Sequence, residues 1–149
     1  MTMASGLYVL TWRDALDTSN LALDLLLETH KVALVTNTYT PNFDTHDAYA
    51  DITNELTTTG GYTAGGKVLT GLVPTWGLGA AGQLKYDLTT DQSWASASFT
   101  ARGSVLYADA LTNNDLIVAQ TFGTDFTATN GTFSIQLDAL GWFTIDLVP

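Results

Sequence analysis

The chain contains no cysteine in its 149 residues. A disulfide framework, a thiol nucleophile and Cys-ligated zinc are therefore all excluded, and stability has to come from packing or from partners. Cations are nearly as scarce: Arg13, Lys31, Lys67, Lys85 and Arg102 stand against 15 acidic residues, for a formal net charge of −10. Binding to a phosphate backbone rests on clustered Lys and Arg, and these five are scattered, so no nucleic-acid partner is expected. Long apolar runs are missing too. Leu25 to Leu27 is flanked by Asp24 and Glu28, far too short to cross a bilayer, so no membrane partner is expected. The N-terminal Met1-Thr2-Met3-Ala4-Ser5-Gly6 lacks the basic region and apolar core of a secretory signal, which predicts synthesis in the cytoplasm of the producing cell without export by that route.

What the chain does have is 46% hydrophobic and only 13% charged residues. That balance excludes charge-driven disorder and leaves a surface dressed in Thr, Ser and Asn. A chain of this length suits one domain over residues 1–149, burying roughly 68–70% of its extended surface. Ala95, Ala97, Phe99 and Ala101 alternate with Ser96, Ser98, Thr100 and Arg102, the period of two that marks a half-buried strand. Gly103 interrupts the run at a bulge or kink before Val105 to Tyr107 resume it. Further strands are read at Leu7 to Arg13, Lys31 to Thr38, Lys67 to Leu72, Gln83 to Thr89 and Asp115 to Phe122. A C-terminal hairpin joins Phe133–Leu137 to Phe143–Leu147 through a turn at Gly141. Two short helices are expected, one capped by Asp14, and a clearer one within 44–56 capped by Asp44 or Thr45. Residues 74–82 read as a loose segment. The fold class is mainly β: an antiparallel β-sandwich or jelly-roll-like barrel with one or two short helices.

The stretch 61-GYTAGGKV-68 begins like a phosphate-binding P-loop, Gly then four residues then Gly-Lys. It ends in Val68 where the metal-holding hydroxyl belongs, and Leu69 to Pro74 make a poor opening for the required helix. The better reading is a turn beside a strand, with Gly60, Gly61, Gly65 and Gly66 supplying positive φ.

Other chemistry is thinly represented. His46 lies among Asp44, Asp47 and Asp51, a grouping that could face one ion but has neither the Gly turn and bidentate carboxylate of a Ca²⁺ loop nor the ligand set of zinc. Helix capping accounts for those acids more simply. His30 reads as a polar residue at a strand edge. No Gly-x-Ser-x-Gly elbow occurs, and Glu28 and Glu55 are the only glutamates, so neither a serine hydrolase nor a paired-carboxylate glycosidase is indicated. Trp12, Trp76, Trp94 and Trp142 could line a sugar-binding face, but core filling or subunit contact is the expectation. No catalytic, cofactor-binding or metal-ligating residue is assigned.

The succession 31-KVALVTNTYTPNFDTHDAYADI-52, 60-GGYTAGGKVL-69, Ala101-Arg102 with Val105 to Tyr107, 116-LIVAQTFGTDF-126 and 131-GTFSIQL-137 resembles a family of small structural proteins from tailed-bacteriophage virions. The likeness runs from about Leu21 to the end. It implies a non-enzymatic virion protein, foremost a capsid decoration or cement protein that reinforces the outside of the assembled head. Its partners would be the major capsid protein or other virion proteins and its own copies, with a trimer the first expectation. A tail or fibre component contacting a host surface glycan is the alternative, and a small hydrolase a third. The family has no catalytic motif to carry over.

Overall fold

The computed structural model describes residues 3–17, 21–26, 29–69 and 74–148, without the side chains of 74–76 and 78. The chain is mainly β, with antiparallel pairing throughout the described sheets and one α-helix among the described residues. The larger sheet takes β1 (Gly6–Leu7), β2 (Lys31–Val35), β3 (Lys67–Val68), β6 (Gln92–Ala108) and β7 (Asp115–Ile135) in the order β1-β7-β6-β2-β3. The smaller takes β4 (Pro74–Leu78), β5 (Gln83–Leu88) and β8 (Phe143–Asp146) in the order β4-β5-β8.

Part of the larger sheet is buried on both faces. Val32 and Leu34 enter one core cluster with Leu106 and Ile117, while Ala33 and Val35 enter a second with Val105 and Leu116. A run such as Lys31–Val35, apolar at successive positions, is what a strand covered on both sides requires. The first cluster also holds Tyr86 and Leu88 from β5, so the two sheets share a core in a sandwich-like arrangement. The second cluster is closed by Met3, Tyr8 and Tyr39, with the Tyr8 and Tyr39 hydroxyls 2.8 Å apart.

Several expectations are corrected. Leu7 to Arg13 is not one strand: β1 ends at Leu7, and α1 covers Val9–Leu16. Its β-branched and aromatic residues are indifferent helix formers, and packing overrides them. Thr11 is buried against the body, and the Trp12 indole donates to the Ile117 carbonyl at 3.1 Å. The N-cap is Tyr8, not Asp14, which lies inside the helix and pairs with Arg13. Thr18, Ser19 and Asn20, whose turn-forming side chains would interrupt a helix begun at Asp14, fall outside the described residues.

The helix expected within 44–56 reduces to one 3₁₀ turn, Tyr49–Asp51. The backbone there bonds outward instead of to itself: Leu116 N–H donates to the Asp47 carbonyl (2.8 Å), Tyr49 N–H to Asn114 (3.0 Å) and Leu56 N–H to Leu34 (2.9 Å). Residues 74–78, read as loose, form β4 and pair with β5. The C-terminal hairpin is also re-partnered. Phe133–Ile135 closes β7 opposite Gln92–Trp94, whereas β8 pairs with β5 in the other sheet. The Gly141 turn itself stands, with φ +73° and the Tyr86 carbonyl 2.4 Å from where a Cβ would be. The strand read from Lys67 is described to Val68, and its continuation over 70–72 lies outside the described residues.

Candidate functional site

The long strands β6 and β7 form a ribbon that leaves the doubly covered sheet and runs into solvent. Around Ala97, Phe99 and Ala101 the β6 strand still buries alternate residues, but β7 is exposed or half-exposed at every position from Thr121 to Thr132. Pairing is irregular here. Gly103 faces Thr121 and Ala101 faces Phe126, so residues 122–125 stand opposite Arg102 alone. That excursion is pinned: Arg102 donates to the Asp125 carboxylate (2.6 Å) and the Gly123 carbonyl (2.9 Å), and Asn37 donates to Asp125 (3.1 Å).

Along the same stretch of β7 lies a groove of about 670 Å³, floored by Phe122, Phe126, Ala128 and Phe133 and rimmed by threonines. Phe126 is 50% exposed. Phe122 joins it to the core, with ring centroids 6.3 Å from Phe126 and 6.0 Å from Phe133. No ionisable residue lines the groove.

The residues singled out in the sequence are structural in their contacts. The Gly-rich turn has positive φ at Gly60, Gly61, Gly65 and Gly66, as expected. At Gly66 a Cβ would meet the Val32 carbonyl oxygen at 2.3 Å. The Lys67 ammonium, which a P-loop would aim at phosphate, donates to the Ser93 carbonyl beside the Trp94 ring, and Lys67–Val68 enters a strand where a helix would have to begin. Beneath the turn, Glu55 accepts from the Tyr49 and Tyr62 hydroxyls and from Gly65 N–H (2.7 Å). The Tyr62 oxygen accepts in turn from Leu34 N–H (3.0 Å). Burial, reinforced by the Glu55 bonds, pushes both hydroxyls far above the usual tyrosine range, which suits hydrogen-bond donors and not bases.

The acids around His46 are likewise engaged. The Asp51 carboxylate accepts from the N–H groups of Asp47 and Ala48, both at 3.0 Å, and His46 Nδ1 faces the Tyr39 hydroxyl (3.5 Å) and Asn42 N–H (3.4 Å). Among the described residues no group of three or more His, Asp or Glu is arranged to hold a metal. His30 is not at an exposed edge. It is buried, neither ring nitrogen has a partner, and burial lowers its pKa. Trp94 and Trp142 fill the core and Trp12 packs against it, as expected of core-filling residues. The Trp76 side chain lies outside those described. The surface feature that sequence reasoning missed is the groove on β7, whose only sequence signal is a run of Thr, Gly and Phe with a single charge.

No protein-family model, curated protein or solved structure matches this chain. No helix among the described residues is long and apolar enough to cross a membrane.

Proposed function

We propose that this is a non-catalytic structural protein of a tailed-bacteriophage virion, a decoration or cement protein that binds the outer surface of the assembled head and stabilises it. The observation that carries the reading is the groove on β7: about 670 Å³ of Phe- and Thr-lined surface without one ionisable group. Proton transfer needs a titratable side chain within reach of the reacting atom, whereas a contact surface needs only shape and apolar area. The acidity of the chain, −10 overall, fits an outer position away from packaged DNA. The resemblance in the sequence supplies the virion, and with it the major capsid protein or another virion protein as partner.

The test is to add purified, labelled protein to expanded heads that lack it. The expected result is saturation at a fixed stoichiometry, with the heads gaining resistance to heat or chaotrope. Label found on the tail would replace the decoration reading with the tail or fibre alternative. Turnover of a substrate panel would overturn the non-catalytic reading.

A further inference from the structure

We propose that Asn130 is a site of spontaneous covalent modification: the backbone nitrogen of Gly131 attacks its side-chain amide, and the folded protein converts the residue to aspartate and isoaspartate. Asn130-Gly131 is the one Asn-Gly pair in the chain. The reaction needs only water and hydroxide. Hydroxide takes the Gly131 amide proton, the nitrogen bonds to the Asn130 Cγ, and the Cγ–Nδ2 bond breaks, so that Nδ2 leaves as ammonia with a proton drawn from water. A five-membered succinimide results. Water then opens the ring, at Cγ to give aspartate or at the Asn130 main-chain carbonyl to give isoaspartate, in which the chain runs through Cβ. One water is consumed and one ammonia released, with no change of oxidation state.

Two features of the structure place the reaction here. The first is an open approach. Glycine has no Cβ to crowd its nitrogen, and Gly131 is exposed. Around it, the place a Cβ would take has only the Thr129 carbonyl oxygen nearby, at 3.8 Å. The second is the freedom of the Asn130 side chain. Ala97 faces Gly131 and Phe99 faces Ala128, so Thr129 and Asn130 stand opposite Ser98 alone where the ladder breaks. Asn130 is exposed there with φ +49°, a left-handed conformation that Asn tolerates better than most residues. Its backbone N–H is held by the Ser98 hydroxyl at 2.9 Å, but its side-chain amide has no hydrogen-bond partner among the described residues. The amide is therefore free to turn toward the neighbouring nitrogen, and proximity within one chain makes the attack effectively unimolecular.

Each of the other described asparagines lacks one of these conditions. Asn37 and Asn113 donate through their side-chain amides to Asp125 (3.1 Å) and Asp115 (3.5 Å). The Oδ1 atoms of Asn42 and Asn54 accept from the Asp44 N–H and the Thr53 hydroxyl, both at 3.1 Å. Asn114 also has a positive φ, +53°, but it is followed by the buried Asp115, whose Cβ crowds the attacking nitrogen. The modification puts a carboxylate into a stretch, 121–136, whose only ionisable side chain is Asp125. Isoaspartate also adds one main-chain carbon between Thr129 and Gly131, both of which line the groove. This chemistry stands independently of whether the protein belongs to head or tail.

The experiment is a time course of the full chain in mildly alkaline buffer, read by peptide mapping with mass spectrometry, with Gly131→Ala beside wild type and each also held unfolded in urea. Gly131 has neither a positive φ nor a close neighbour to strain an alanine, and circular dichroism would check that the variant keeps its fold. In folded wild type the peptide bearing Asn130 is expected to accumulate two products of amide-to-acid mass, one of them a substrate for isoaspartyl methyltransferase. The rate should rise with pH, because hydroxide removes the attacking proton, and Asn37, Asn42, Asn54, Asn113 and Asn114 should remain amides over the same period. Gly131→Ala should slow the conversion at least about tenfold, since its Cβ raises the barrier to attack. Conversion of Asn130 only in urea, conversion in Gly131→Ala as fast as in wild type, a rate indifferent to pH, or equal conversion at another described asparagine would each overturn the proposal.

Discussion

Single residues carry the clearest consequences of burial without a partner. The neutral form of His30 is favoured in the fold, because burial lowers its pKa, while in the unfolded chain it takes a proton near pH 6.5. The unfolded state therefore binds more protons as pH falls below about 6.5, and the stability that neutral His30 allows above that value is lost toward its lower folded pKa. Asp115 acts in the opposite sense: burial raises its pKa, so its contribution is lost as pH rises through its folded value. Melting temperature from pH 8 down to pH 5 should fall for wild type, and His30→Phe should flatten that slope. An unchanged slope in the variant would remove His30 as its cause. A second comparison tests the Gly-rich turn. Gly65 has φ +93° and open space for 4 Å around the place a Cβ would take, whereas at Gly66, φ +76°, that place is 2.3 Å from the Val32 carbonyl oxygen. Urea titration should give a loss of about 1 kcal/mol for Gly65→Ala, from the left-handed backbone alone, and about 3 kcal/mol or more for Gly66→Ala, where the backbone must also shift.

At the scale of elements, what was legible in the sequence was periodicity, and what was not was partnership. Alternation over residues 97–101 reads directly because one face of β6 is core and the other wet, and the break at Gly103 is a real shift in register. The alternation in Phe133–Leu137 and Phe143–Ile145 was equally visible, yet a period of two says which face is buried and not which strand lies alongside. The outer half of β7 gives no period at all, since both its faces are wet, and so its extent and its groove were hidden. The segment 44–56 misled for another reason: its acids and alanines match a capped helix, but its backbone groups have better partners on β2 and at the start of β7. The acid that does the capping work is Asp51, through two N–H groups, whereas Asp44 makes its described contact through its own N–H to Asn42. Asp51→Ala should therefore cost about 1–2 kcal/mol in chemical denaturation, and Asp44→Ala less than about 0.5 kcal/mol. Equal losses would mean that the turn is held by the cluster as a whole.

For the whole molecule the governing quantity is its charge, and it constrains how any copy can meet another surface. With 5 cations against 15 acids, an assembly held by ion pairs would have to draw nearly every positive charge from its partner, and it would weaken as salt screens those pairs. The described cations are already engaged: Arg13 with Asp14, Lys31 with Asp109, Lys85 with Asp87, Arg102 with Asp125 and Lys67 with a backbone carbonyl. A contact made through the neutral ribbon behaves differently. Apolar packing at Phe126 is insensitive to ionic strength, while the repulsion of a body of −10 from an acidic surface is screened once the Debye length falls to about 10 Å near 0.1 M salt. Binding to heads measured between about 0.05 and 0.5 M NaCl should therefore change little as salt is raised. Phe126→Ser should weaken association at every salt concentration without changing its salt dependence, because it removes apolar contact and no charge. A steep loss of association with salt in the wild-type protein would show that ion pairs carry the contact, and would move the docking surface off the uncharged ribbon.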